Sequence, residues 1–350
     1  MGFYSEKILP YLLDWSLSDP KIAAYRRSLL AEVQGEVLEI GFGTGLNLAY
    51  YPEQVEKIIT VDPNPGVHAL AQKRIQSSPI TVEHRLLGSE HLPMADHSFD
   101  SVVSTFTLCS IPGVEQALQE IAKMLYMSGG EFKVPIVFRG PNGSAFQVSS
   151  QHSQALEAMY ANFPGLKVVM PSTAADAKGL LKSSIRDDNP VIFMEQERMY
   201  GIKGEVPEDE DFTIPLGVAD IKREGKDCTI VARSMTVPLA LQAAEKIQDE
   251  FDVSVEVIDP RTIKPLDIDT IVNSVRKTNR LVIAEESHYF ASVGAEISHT
   301  IMEHAFDYLD APVKRISTVE APMPYAKNLE AAALPSVEKI IEAVKEVCYI

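Results

Sequence analysis

The segment Val37-Leu38-Glu39-Ile40, followed by Gly41-Phe42-Gly43-Thr44-Gly45, limits the fold of this chain more than any other feature. A short apolar run ending on closely spaced glycines is the pattern of a buried parallel strand that turns tightly into a helix. Leu46–Tyr50 can begin that helix. Lys57-Ile58-Ile59-Thr60-Val61 then reads as a β-branched strand ending in Asp62. The interval from Gly45 to Asp62 is that of one strand–helix–strand unit. An acid at the tip of the second strand can accept both ribose hydroxyls of a bound nucleoside. Further strands fit Ile80–His84 and Phe99–Phe106, and Val114–Met124 has the apolar spacing of an amphipathic helix.

The same alternation continues to the end of the chain. Val134–Gly140, Lys167–Met170 and Val191–Met194 read as strands, and Gln154–Asn162 and Ala174–Ile185 as helices, the latter with Ser172 as its N-cap. Gly204–Asp211 is acidic, contains Pro207 and reads as a linker. Beyond it the strands are Cys228–Ala232, Val253–Ile258, Arg280–Ala284 and Val313–Ile316. They alternate with helices Val237–Phe251, Ile268–Lys277, Val293–Ala305 and Val337–Val347. Strands alternating with helices mean parallel α/β layers.

The 350 residues suit two or three domains, and 45% apolar content supplies their cores. A formal charge of −17, spread along the chain, argues against nucleic-acid partners and anionic membrane surfaces. No apolar run has membrane-spanning length. Cys109, Cys228 and Cys348 lie far apart, which is neither a disulfide framework nor a zinc site. The start of the chain lacks a basic segment followed by a long apolar core, so no signal peptide is expected. Together these point to a reducing, cytoplasmic setting.

Two resemblances organise these observations. Residues 1–125 resemble a class I S-adenosylmethionine-dependent methyltransferase, through Gly41-x-Gly43-x-Gly45, Asp62 and the Ser98-Phe99-Asp100 before the fourth strand. The resemblance implies that Glu39, Gly41, Gly43 and Gly45 frame the methionine end of S-adenosylmethionine. Asp62 would hold its ribose, and Ser89 and Glu90 would border the adenine. Methyl transfer from a sulfonium needs mostly positioning, which fits the lack of a conspicuous catalytic base. His68, His84 and His91 are expected to be surface histidines.

From about Lys123 onward the chain is similar to the beta subunit of the thiamine-diphosphate-dependent pyruvate dehydrogenase decarboxylase or a close 2-oxoacid relative. The phrases that carry this are Tyr126–Gly130, Val134–Gly143, Gln151-His152-Ser153-Gln154, Asp176–Lys182, Ile185–Pro190, Val257–Asp267 and Met323-Pro324-Tyr325. Residues 126–205 would be part of a transketolase pyrimidine-binding domain and residues 211–350 a transketolase C-terminal domain. The fold class expected is therefore α/β throughout, with a Rossmann-like methyltransferase half ahead of these two. His152 matches the family histidine beside the thiamine ring. Potassium would be held largely by carbonyls at Ile136, Ser184, Ile185, Asp187 and Asn189. His288 is expected to be structural or at an interface. The implied partners are an alpha subunit and a dihydrolipoyl acetyltransferase core.

The join near Leu125–Gly130 has a consequence. Thiamine catalysis needs a carboxylate on the aminopyrimidine ring, to stabilise the tautomer that deprotonates the thiazolium. The resemblance places that glutamate ahead of every matching segment, where the methyltransferase-like residues stand instead. Three kinds of function follow: a beta-subunit-type chain of doubtful activity, a small-molecule methyltransferase, or a non-catalytic interaction module. Two architectures also follow. Val134–Phe138 either extends the first four strands into one sheet or belongs to a separate one.

Overall fold

The computed structural model describes residues 8–31, 33–87, 94, 98–105, 122 and 133–350. Most of the helix expected at Val114–Met124, the join itself, Ser89, Glu90 and His91 lie outside the described residues. The chain divides into two compact units. The first comprises residues 1–138 and 188–190, and the second residues 139–187 and 191–350.

Among the described residues the first unit opens with two helices that the apolar pattern did not announce, α1 (Leu9–Leu17) and α2 (Pro20–Leu30). Four parallel strands follow: β1 (Gly35–Ile40), β2 (Val55–Val61), β3 (Thr81–Arg85) and β4 (Ser101–Ser104), ordered β3-β2-β1-β4. The single described crossover helix, α3 (Pro65–Ser77), is capped by Asn64, whose side chain accepts the Gly66 N–H. Val37, Ile58, Ala71 and Leu30 form a fully buried core. The helix expected from Leu46 is only a 3₁₀ turn, Leu46–Ala49. Gly45 enters it with φ +78°, and Pro52 lies too close behind for a longer helix to form.

The second unit contains a four-stranded sheet and a five-stranded sheet. The smaller is ordered β11-β6-β7-β5, with β5 Val137–Pro141, β6 Lys167–Val169, β7 Val191–Glu195 and β11 Thr262–Lys264. Val137 thus pairs in a different sheet from Ser101–Ser104, so the merged sheet does not form among the described residues. Helices α4 (Glu157–Ala161) and α5 (Ala174–Ile185) connect its strands. The N-cap of α5 is Thr173, not Ser172: its hydroxyl accepts the Asp176 N–H at 3.0 Å. Ser172 instead donates to Asp259, 87 positions away. That long-range acceptor decides which of two adjacent hydroxyls caps the helix.

The larger sheet is ordered β13-β12-β9-β10-β8, with β8 Asp220–Arg223, β9 Cys228–Ala232, β10 Val255–Asp259, β12 Leu281–His288 and β13 Lys314–Thr318. All its pairings are parallel except that of the edge strand β8. Four principal helices accompany it: α6 (Thr236–Phe251), α7 (Ile268–Thr278), α8 (Val293–His304) and, after the short α9 (Lys327–Ala333), α10 (Val337–Cys348). Ile230 packs with Ile247, Ile340 and Val344 from α6 and α10. Its neighbour Thr229 bonds Ser274 and Thr278 of α7, both at 2.6 Å. Adjacent strand residues face opposite sides, so α7 covers the other face. Both faces are closed, which is why β9 and β10 are buried along their whole length. Among the described residues no helix is long and apolar enough to cross a membrane.

Candidate functional site

In the first unit, backbone conformation at the glycine run sets the site. Gly41, Gly43 and Gly45 have φ of +76°, +58° and +78°, a region costly for residues with a Cβ. A Cβ on Gly43 would meet nothing within 4 Å, so that turn faces open space. Asp62 sits beside it. One carboxylate oxygen accepts the Gly43 N–H and the other the Asn64 N–H, both at 2.9 Å. Gly43 and Asp62 are thus in direct contact, with Gly45 two residues further along the turn.

Glu39 is placed differently. It is buried in β1, with Asn47 Nδ2 on one oxygen at 2.7 Å and the Tyr51 hydroxyl on the other at 2.9 Å. Arg26 reaches the same cluster through Asn47 at 2.9 Å. Burial pushes the Glu39 carboxyl up to about 7, against the lowering effect of Tyr51, Asn47 and Arg26. A second cluster straps α1 to the glycine turn: Asp14 accepts from Thr44 at 2.6 Å and from Arg74 at 2.8 Å. Sequence reading missed Asp14, Arg26, Asn47 and Arg74 because their partners are brought together only by the fold.

His68 and His84 are not simple surface side chains. Their rings stack at 4.5 Å, and His84 Nδ1 lies 2.5 Å from the Thr60 hydroxyl. Burial, with the neighbouring His68, lowers the His84 pKa. The β-register explains the pairing, since Thr60 lies directly beside His84 across β2 and β3.

In the second unit, the loop carrying His152 is held by buried acids. Asn142 clamps its two ends: its amide donates to Glu157 at 2.9 Å, and its carbonyl accepts the Leu156 N–H at 2.7 Å. The Gly143 N–H reaches the Gln154 carbonyl at 2.8 Å. Gly143 has φ +82°, and a Cβ there would stand 2.6 Å from a Glu286 oxygen. Glu286 is fully engaged by Ser144 at 2.7 Å and Gln196 at 3.0 Å. Further along, Glu330 accepts the Gln147 N–H at 3.0 Å and pairs with Arg198 at 2.8 Å. Gln147 and Ser149 both have positive φ, so the loop is strained as well as pinned. His152 itself is exposed in the 3₁₀ turn Ser150–His152.

Beneath the loop lies the buried Arg233. One guanidinium nitrogen pairs with Glu157 at 3.1 Å and with Glu285 at 2.5 Å, and lies 3.3 Å from Ser287. Burial alone would raise the Glu157 carboxyl; the Arg233 charge, with Ser287 and Asn142, holds it below its usual value. Glu285 also accepts from Ser292 at 2.6 Å and the Gly294 N–H at 2.9 Å. Sequence reading missed these residues. The available signal was Glu285-Glu286 continuing the apolar run Leu281–Ala284, where side chains facing water are not expected.

A cavity of about 500 Å³ adjoins this loop, lined in part by Ser150, Ser153, Gln154, His288, Glu320 and Met323. His288 is exposed and its Nδ1 lies 2.8 Å from the Val319 carbonyl. Glu320, the carboxylate of the cavity, is exposed and accepts the Phe290 N–H at 2.9 Å. The expected potassium ligands divide between the units: Ile136 and Asn189 belong to the first, Ser184, Ile185 and Asp187 to the second. Ser184 is buried at the end of α5, and the Asp187 carboxylate is paired with Lys167 at 2.5 Å. Among the described residues no cluster of three or more His, Cys, Asp or Glu is placed to hold a metal.

Two substitutions test these clusters. Arg233→Met strands two buried carboxylates and should lower the stability of the second unit by about 3–5 kcal/mol. Urea titration measures it, and a loss under about 1 kcal/mol would show that the network is dispensable. Glu39 should make the first unit pH-sensitive. Its folded pKa, about 7, lies above the ordinary 4.5, so its contribution is full below pH 4.5 and lost as pH rises towards 7. Glu39→Gln removes that dependence. Its stability relative to the parent should climb by up to about 3 kcal/mol across this window and then level off. A difference that stays flat with pH would contradict the raised carboxyl.

Comparisons with known proteins find three family models, two of which overlap. The family model for the pyrimidine binding domain of transketolase matches residues 99–203, and that for the transketolase C-terminal domain residues 217–340. A methyltransferase domain model matches residues 38–132. The chain is 49% identical over 278 residues to the pyruvate dehydrogenase E1 component subunit beta of Rhizobium meliloti, covering 79% of this chain but only 60% of that protein's length. It is 56% identical over 235 residues to the corresponding Rickettsia felis subunit, covering 67% of this chain and 72% of that one. Among solved structures, a split-gene transketolase described as an inactive β4 tetramer aligns over 84% of this chain and 92% of its own, with a TM-score of 0.54 and 17% identity. That likeness supports the fold alone. Behind a methyltransferase-like leading segment, therefore, the chain belongs to the family of pyruvate dehydrogenase E1 component beta subunits.

Proposed function

We propose that this chain is a beta-subunit-type partner in the oxidative decarboxylation of pyruvate with acetyl transfer to lipoamide, lacking the carboxylate that the chemistry needs. The observation that supports it is the His152 loop, held by Glu157, Glu286 and Glu330 on a transketolase-like C-terminal unit. In this reading residues 126–205 are a partial pyrimidine-binding domain and residues 211–350 the C-terminal domain. His152 would donate a proton as the acyl group moves. Potassium would be held largely by backbone carbonyls, Ser184, Ile185 and Asp187 being the expected ligands within the second unit. The partners are an alpha subunit and the dihydrolipoyl acetyltransferase core, and the setting is cytoplasmic.

The described residues do not fit thiamine diphosphate as a complete site. Glu157 is locked in a buried ion pair, and Glu320 stands in water on a backbone N–H. Neither is a desolvated carboxylate ready to hold an aminopyrimidine. Mixed with an alpha subunit, the chain should therefore co-purify but give no pyruvate-dependent reduction. Turnover that disappears with His152→Ala would overturn the assignment of a missing carboxylate.

A second reading is carried by the glycine run and Asp62, which fit S-adenosylmethionine. Gly41, Gly43 and Gly45 would cradle its methionine end, Asp62 would accept its ribose hydroxyls and Ser89 and Glu90 would border the adenine. Glu39 would act through Asn47 and Tyr51. When bound, the cofactor supplies an electrophilic methyl group. Calorimetry should detect its binding to the full chain, and Asp62→Ala should abolish the heat. No heat at millimolar ligand would remove this reading.

A further inference from the structure

Sequence spacing separates the three cysteines, but the fold brings two of them together. Cys228, the first residue of β9, is fully buried, and Cys348, the last residue of α10, is half-buried against the same core. Cys348 packs against the buried cluster that contains Cys228. Arg280 bridges the two segments: its Nε donates to the Val347 carbonyl at 3.1 Å and its Nη1 to the Asp227 carbonyl at 3.3 Å. These are the residues immediately before each cysteine. Tyr349, in the left-handed region, ends α10, and the Ile350 N–H returns to the Lys345 carbonyl at 3.1 Å. The end of the helix is thereby anchored where Cys348 sits.

We propose that Cys348 and Cys228 form a peroxide-responsive pair in which Cys348 is the attacking thiol, Cys228 the resolving thiol and Arg280 the charge that favours attack. The roles follow from position. Reactive thiols are accessible and lie near positive charge, whereas a buried thiol without such help stays protonated. The Cys228 side chain lowers the Cys348 thiol pKa and outweighs its partial burial; the Arg280 charge adds to this and Asp227 opposes it, both more weakly. Its interaction with Cys348, and then burial, holds the Cys228 thiol well above the ordinary value.

The steps balance with a hydroperoxide as oxidant. The Cys348 thiolate attacks the O–O bond; an S–O bond forms, O–O breaks, and the hydroperoxide is reduced to water or alcohol as Cys348 becomes a sulfenic acid. Cys228 sulfur then attacks Cys348 sulfur; S–S forms, S–O breaks, and hydroxide leaves with the Cys228 proton as water. The product fastens the last helix to a central strand of its sheet. A cross-link between such distant positions constrains the unfolded chain most.

The test uses the full-length chain treated with hydrogen peroxide, then intact mass and peptide mapping without reductant. A Cys109→Ser background removes the remaining thiol, which lies outside the described residues. The expected product is a monomer lighter by two hydrogens, with a peptide joining Cys228 to Cys348. Thiol reductant should reverse it, and the oxidised form should unfold at higher temperature. In Cys228→Ser, dimedone should trap a sulfenic acid at Cys348; in Cys348→Ser, no dimedone adduct should form at Cys228. Arg280→Gln should slow alkylation of Cys348 several-fold. The proposal is overturned if both thiols stay free in excess peroxide, if only intermolecular Cys348 links form, or if Cys348 proceeds to sulfinic acid uncrosslinked. Should the variants fail to fold, peptide mapping of the unaltered chain gives the same decision.

Discussion

One buried cation organises the second unit. Arg233 follows directly on β9 and is buried, facing Glu157 at the start of α4 and Glu285 from β12. Three segments far apart in the chain meet on a single guanidinium. Desolvating these charges opposes folding, and their attraction offsets that cost only where every lone pair is met. Ser287, Asn142, Ser292 and the Gly294 N–H meet the carboxylate oxygens, whereas Nε and Nη1 of Arg233 are buried with no hydrogen-bond partner, so the cost is offset only in part. The arrangement therefore specifies one register of loop on sheet. An apolar core of equal volume would allow the loop to slide. Asn142 ties both ends of the loop that carries the exposed His152 to this cluster.

Regular elements of this unit were legible where apolar β-branched runs alternate with capped helices. Cys228–Ala232 and Ala174–Ile185 are found where their patterns end. Short polar strands were not: Asp220–Arg223 and Thr262–Lys264 gain their strand character from neighbours, not from their own residues. The cap of α5 turned on Asp259 taking Ser172. The site was legible in part. Gly43 and Asp62 meet because the parallel pairing of β1 and β2 sets their C-terminal ends side by side. Glu39 lies in that pair too, yet its burial depends on Asn47, Tyr51 and Arg26, whose approach no local pattern encodes.

The two units explain how a chain joined mid-domain can still close its cores. The first keeps four parallel strands with Glu39, Thr60 and His84 side by side across β1, β2 and β3. The second completes its small sheet with β11, drawn from the C-terminal segment and paired antiparallel to β6. What such repair does not restore is a side chain whose segment is replaced. Family membership rests on matched residues; on the function proposed above, turnover would rest on one carboxylate in one place.

That distinction is tested most directly at the thiazolium C2 proton of thiamine diphosphate, bound to an alpha subunit together with this chain. Quenched-flow NMR of its exchange with deuterium reports the carboxylate's work before any substrate arrives. The account predicts exchange no faster than that of the free coenzyme, alongside fast exchange in a control complex with an intact beta subunit. Accelerated exchange with this chain would show that another group supplies the relay, and would contradict the central claim.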